Sequence, residues 1–176
     1  ILSKSNLLFF SILFETPPNN IEVEISDTEN IDEKSAITAI DNFLALTEEN
    51  RIADSDHIFA YYKDFHECVG GEDWLDEEMG IPECPTDIWK YVKPNRMISI
   101  EKGYDVDDNW YIIMEANCDW EEEHGLMLVW RNGTTLTKVG GYDGHLTNVN
   151  AYANKKMINV VYAASNPEYT TFLNSN

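Results

Sequence analysis

One short run, CDWEEEHG from Cys118 to Gly125, sets a thiol, four carboxylates and an imidazole within seven residues. Groups of these types could ligate a metal or activate a nucleophile. A second cluster follows in GGYDGH, Gly140 to His145. If that loop folds beside the Glu121–His124 turn, Asp119, His124, Asp143 and His145 would offer two carboxylates and two imidazoles. Such donors suit zinc or manganese, and hence a metal-binding module or a metal-dependent hydrolase. No spacing in the chain requires them to meet. DVDDN, Asp105 to Asn109, lacks the glycine and the distal glutamate of an EF-hand calcium loop.

Other chemistries find less support. A nucleophilic cysteine needs exposure and a base. Cys68 has His66 and Glu67 as chain neighbours, but on a helix residues one and two apart do not face each other. Carboxylate pairs of the glycosidase kind carry no weight in a chain with 32 acids, where pairs arise by chance. There is no G-x-S-x-G, no H-E-x-x-H and no phosphate-cradling glycine loop. The expectation is a non-enzymatic protein that needs no cofactor.

The competing account of the acidic run is that it forms the wet tip of a hairpin. Asn132-Gly133 is the strongest short-range hairpin signal in the chain, a type I′ turn. It sets Arg131 opposite Thr134, Val129 opposite Leu136 and Met127 opposite Lys138. A four-residue loop at Glu121–His124 sets Cys118 opposite Met127 and Ala116 opposite Val129. With period-two alternation, Ile112, Met114, Ala116, Cys118, Met127, Val129 and Leu136 then share one apolar face, covered by helices. Cys118 is expected in the core, and Glu121, Glu122, Glu123 and His124 in water. The opposite face, with Tyr111, Ile113, Leu126, Leu128 and Trp130, is expected to lie under the N-terminal hairpin; the alternative is a surface of the kind partners use.

The elements that carry these residues follow from periodicity. LLFFSILF, Leu7 to Phe14, reads as a buried strand. It is too short to span a bilayer and lacks a signal-peptide cleavage site. TPPNN breaks it, and IEVEIS, Ile21 to Ser26, alternates as a half-buried strand, giving an N-terminal β-hairpin. Asp32 is placed to cap a helix through Leu46 with a stripe of Ala36, Ile37, Ile40, Phe43 and Leu44. A second helix over Glu48 to Val69 would bury Ile58, Tyr62, Phe65 and Val69 and keep Asp54, Asp56, Lys63 and Asp64 wet, stopping at Gly70-Gly71. Residues 70–85 read as an acidic loop. Thr86 would cap a short helix ended by Pro94. Strands are expected at Met97–Glu101, Trp110–Trp120, Gly125–Arg131, Thr134–Val139 and Met157–Ala163. This order predicts a single α+β domain over residues 1–176: an N-terminal β-hairpin, helices, then a C-terminal antiparallel meander with the helices on one face.

The chain of 176 residues is 43% hydrophobic, enough for a packed core, and carries a net charge of −20. Residues 1–83 hold 20 acids against 4 bases. That balance disfavours nucleic acid and anionic membranes and favours a basic protein. Glu72, Asp73, Trp74, Asp76, Glu77, Glu78 and Glu83 are the expected contact residues, with Trp74 as an aromatic anchor for a cationic partner. Three widely spaced cysteines fit free thiols in a reducing cytoplasm.

The order AYYKDF…PTDIWKYVKPNRMISIE…WYIIMEANCDWEEEHGLMLVWRNG…VGGYDGHLT resembles a family of small bacterial domains of unknown function. Those domains show a C-x-W-[DE]-x-E-H-G-L hairpin and a Y-D-G-H element. Cys118, Trp120, Glu121, Glu123, His124, Gly125 and Leu126 match the first, and Tyr142 to His145 the second, with the likeness covering about residues 5–165. The family supplies no catalytic residues. It is similar to cytoplasmic immunity proteins that accompany secreted toxins, which implies a cognate toxin domain as the basic partner. The other open reading is a structural accessory domain of a larger assembly.

Overall fold

The computed structural model describes residues 22–25, 33–72, 76–103 and 107–173. Leu7–Phe14 lies outside them, and with it the first strand of the expected N-terminal hairpin. Among the described residues the protein is α+β, with one seven-stranded sheet whose strands lie in chain order. These are β1 (Glu22–Ile25), β2 (Val92–Lys102), β3 (Trp110–Cys118), β4 (Glu121–Arg131), β5 (Thr135–Gly140), β6 (Val160–Tyr162) and β7 (Thr171–Phe172). β2 to β5 form the expected antiparallel meander, while β1 runs parallel to β2 and β6 parallel to β5. The sheet is therefore mixed.

Helix α1 (Glu33–Leu44) and helix α2 (Glu48–Cys68) supply the helical layer. Ala36, Ala39, Phe43 and Leu44 of α1 are buried, but Ile37 points to solvent. At the start of α2 the Thr47 N–H donates to Asn50 Oδ1 at 2.8 Å, occupying a backbone donor at the entry to the helix. The helix stops where foreseen: Gly70 and Gly71 take φ of +116° and +63°, and the Gly71 N–H donates to His66 O at 2.9 Å. Val69 falls beyond the last turn and is 44% exposed, contrary to its expected burial. A short helix, α3 (Asp76–Met79), interrupts the acidic loop.

The segment after that loop departs in detail from expectation. A 3-10 helix begins at Pro85, one residue before the expected cap, and ends at Tyr91. Pro94 does not end it. It sits inside β2 opposite Ala116, where the ladder is irregular as far as Ile98. A residue without an N–H is tolerated at such an interruption. Of the expected strand at Met157–Ala163, only Val160–Tyr162 pairs, because Lys155–Asn159 winds as a 3-10 helix. Helix α4 (Asn148–Ala151) precedes it.

The register of the meander corrects both expected turns. The β3–β4 connection is two residues, Asp119 and Trp120, with Cys118 opposite Glu121 and Ala116 opposite Leu126. Past the Asn132-Gly133 turn, Arg131 faces Thr135 and Trp130 faces Leu136. A shift of one residue exchanges the two faces of a strand. Leu126, Leu128 and Trp130 therefore join Ile112, Met114, Ala116 and Cys118 in the core beneath the helices. Met127 and Val129 turn to the other face, where they pack with Tyr111, Ile113 and Leu146 in a second small cluster. Leu146 comes from the loop after β5, which thus contributes cover to a face assigned from sequence to the N-terminal hairpin. The ring of Trp130 packs 5.0 Å from Phe43, joining β4 to α1.

Candidate functional site

The acidic run is built into the fold at its centre and wet at its margin. Glu121 is 5% exposed, which corrects its assignment to a solvated tip. Its carboxylate folds back on the strand it begins. Oε1 accepts the Glu123 N–H at 2.9 Å, and Oε2 accepts the His124 N–H at 2.8 Å. Tyr61 of α2 reaches the same place, its hydroxyl donating to Gly125 O at 3.2 Å, with Glu121 Oε2 at 3.5 Å. Burial, reinforced by Cys118 and Glu121, pushes the Tyr61 hydroxyl above its ordinary pKa, so it remains a donor. Glu122, Glu123 and His124 are exposed as expected, His124 with 60% of its side chain free.

Gly125 is required twice over. Its φ is +63°, and a Cβ there would stand 2.7 Å from Ala116 O. Cys118 lies in the core as expected, 3% exposed, its Sγ donating to Glu121 O at 3.4 Å. Burial is the main reason its thiol is pushed up to about 12. A thiol so placed is protonated and shielded, which removes it as a nucleophile. Trp120 closes the turn against the edges of Tyr61 and Tyr62, with centroids 5.9 and 6.1 Å away.

The GGYDGH loop does come beside this turn, since the Tyr142 N–H donates to His124 O at 3.1 Å. Of the four possible metal ligands only Asp143 and His145 come together, with His145 Nδ1 3.6 Å from Asp143 Oδ1. Asp119 pairs with Lys93 of β2. Asp143 pairs with Lys138 of β5 and accepts the His145 N–H at 2.9 Å. Lys138 is buried and also donates to His145 O at 2.9 Å; burial lowers its pKa, opposed by Asp143. Among the described residues no three of His, Cys, Asp and Glu gather to hold a metal ion. Each carboxylate of the set has a lysine partner.

In the acidic loop, Glu72, Glu77 and Glu83 are exposed, while Asp76 is held 3.2 Å from His66 Nε2. Asp73, Trp74 and the Glu78 side chain lie outside the described residues. Two acids expected in water are not there. Asp64 is 2% exposed and accepts Tyr162 OH, the Ser165 N–H and the Asn166 N–H at 2.7, 2.7 and 2.8 Å. Asp54 is partly buried, with the Trp130 indole N–H donating to it at 3.1 Å. Burial outweighs that bond and pushes its carboxyl up to about 7. No sequence signal marks these two acids, because their partners lie 76 to 102 positions away.

An α+β domain with a carboxylate-pinned turn between two strands of its meander defines the class. The chain belongs to the family described as Domain of unknown function (DUF6985), whose model matches residues 10–146. No curated protein and no solved structure matches it significantly. Among the described residues no helix is long and apolar enough to cross a membrane.

Proposed function

We propose that the protein is a non-enzymatic acidic binder of a basic protein, of the immunity type, which captures a toxin domain and occludes its active site. The observation that carries this reading is how the cations are used. The chain has 12 Lys and Arg against 32 Asp and Glu, and its cations are repeatedly tied to its own acids. Arg51 pairs with Glu48 at 3.5 Å, Lys90 with Asp87 at 2.6 Å and Lys102 with Asp108 at 3.0 Å. Lys93 and Lys138 are taken by Asp119 and Asp143. The surplus of negative charge is left facing outward. Exposed Glu67, Glu72, Glu77 and Glu83 run from the end of α2 through the acidic loop, next to exposed Val69 and Ile81. Long-range attraction would speed encounter with a cationic protein, and apolar side chains within the patch would slow release.

The test is association of the full chain with the product of the gene immediately upstream, which the proposal requires to be basic, followed across ionic strength. Raising salt to about 0.5 M is expected to slow association about tenfold or more. Glu72→Lys combined with Glu77→Lys should weaken binding while thermal stability holds. Association that ignores salt, or a partner that stays fully active in the complex, sinks the proposal.

A further inference from the structure

Residues 147–173 attach to the rest of the sheet through little backbone pairing. β6 meets β5 at one position, Val139 opposite Tyr162, whereas β2 and β3 pair at eight. Val161 and Tyr162 also bury their side chains in the main core, and the polar attachments run to α2, where most converge on one carboxylate. Among the described residues, the hydrogen-bond donors to buried Asp64 all come from this segment: Tyr162 OH, the Ser165 N–H and the Asn166 N–H. The His57 ring bonds Thr171 Oγ1 at 2.8 Å, and the Asn166 amide reaches Glu67 at 3.3 Å.

The segment also braces itself. The Asn148 amide donates to Val160 O and Val161 O at 2.9 and 3.0 Å, and the Leu173 N–H donates to Asn159 O at 2.8 Å. The family's match stops at residue 146, where this self-braced stretch begins. A piece of chain that keeps its own shape, pairs weakly and has most of its polar ties on one carboxylate can open ahead of the rest of the sheet.

We propose that residues 147–173 form a strap latched by Asp64, which opens and closes as one unit while β1–β5, α1 and α2 stay folded. Stripping three donors from a buried carboxylate would leave its oxygens without partners, which is costly. That cost holds the strap shut. Opening makes β5 the edge of the sheet and uncovers the ring of Tyr61, which sits 5.3 Å from that of Tyr162.

Amide hydrogen exchange on the full chain tests the latch. The amides of Tyr162, Ser165, Asn166 and Leu173 should exchange together, and faster than those of Ile112, Met114 and Leu128. Asp64→Asn keeps the size of the side chain but presents an amide to donors. It should speed exchange of the strap about tenfold or more and leave the central strands unchanged. Tyr162→Phe removes one donor and should speed the same amides by a smaller factor. If Asp64→Asn does not fold, the pattern in Tyr162→Phe decides alone. Equal acceleration in the strap and the central strands, or none in the strap, overturns the proposal.

Discussion

The two turns of the meander solve the same problem with different chemistry. At Asp119-Trp120 a charged side chain, Glu121, is drawn inside to hold two backbone N–H groups. At Asn132-Gly133 a neutral side chain works in the open: Asn132 Oδ1 accepts the Trp110 N–H at 3.0 Å, and its amide donates to Asn109 at 2.8 Å. Each turn also leans on a different helix. The first is touched by Tyr61 of α2, the second by Asn42 of α1, whose amide donates to Asn132 O at 3.1 Å. A run of acids is thus a poor guide to chemistry, because a carboxylate beside a tight turn can find its partners in the backbone.

The largest effect should come from the second turn, where the backbones of turn and helix touch. A Cβ on Gly133 would fall 1.9 Å from Ala39 O and 2.8 Å from Phe43 N, and φ there is +70°. Gly133→Ala should cost about 3 kcal/mol in urea unfolding, since neither backbone can yield cheaply. A loss within a few tenths of a kcal/mol would show that α1 is not seated on this turn.

The first turn should respond to charge and bonding, not to bulk. Glu121→Ala leaves the Glu123 and His124 N–H groups without their acceptor and should cost about 2 kcal/mol, with Glu121→Gln costing about half as much because one acceptor oxygen survives. Equal losses for the two variants would mean that packing, not the backbone bonds, sets the role of this side chain.

The effect that depends on pH concerns Asp54, which binds Trp130 on the approach to the second turn. Its carboxyl is raised from 3.8 to about 7 by burial, so between those values the folded protein holds a proton that the unfolded chain releases. Its contribution to stability is therefore present in acid and lost as pH rises through about 7. Asp54→Asn should match the parent near pH 4 and be the more stable above pH 7, read as a difference in melting temperature across pH. A constant difference at all pH values would assign Asp54 a purely steric role.

How much of this was legible depended on contrast along each strand. β3 alternates near its end, with Glu115 and Asn117 exposed and Met114, Ala116 and Cys118 buried, so its inner face was readable and Cys118 was placed correctly. β4 is buried without interruption from Gly125 to Trp130. An apolar run of that kind fits either register, and the turn lengths alone had to decide it. Both expected turns were wrong in length, the first being two residues instead of four and the second three instead of two; each moved the register by an odd number of positions, so Leu136 still reached the core, beside Trp130 instead of Val129. The donor sets of the metal reading failed for a related reason. Lys93 and Lys138 are remote or unremarkable in the sequence, and only the folded ladder brings them to Asp119 and Asp143. The helices were read well where a stripe existed, and poorly at Asp54 and Asp64, whose surroundings are made by distant strands.

The parallel pairing of β1 carries a consequence for the growing chain. Glu22–Ile25 lies against Met97–Ile100, with both long helices made in between. As the polypeptide leaves the ribosome, the earliest described strand cannot form its ladder with β2 until the helical layer is already outside the exit tunnel.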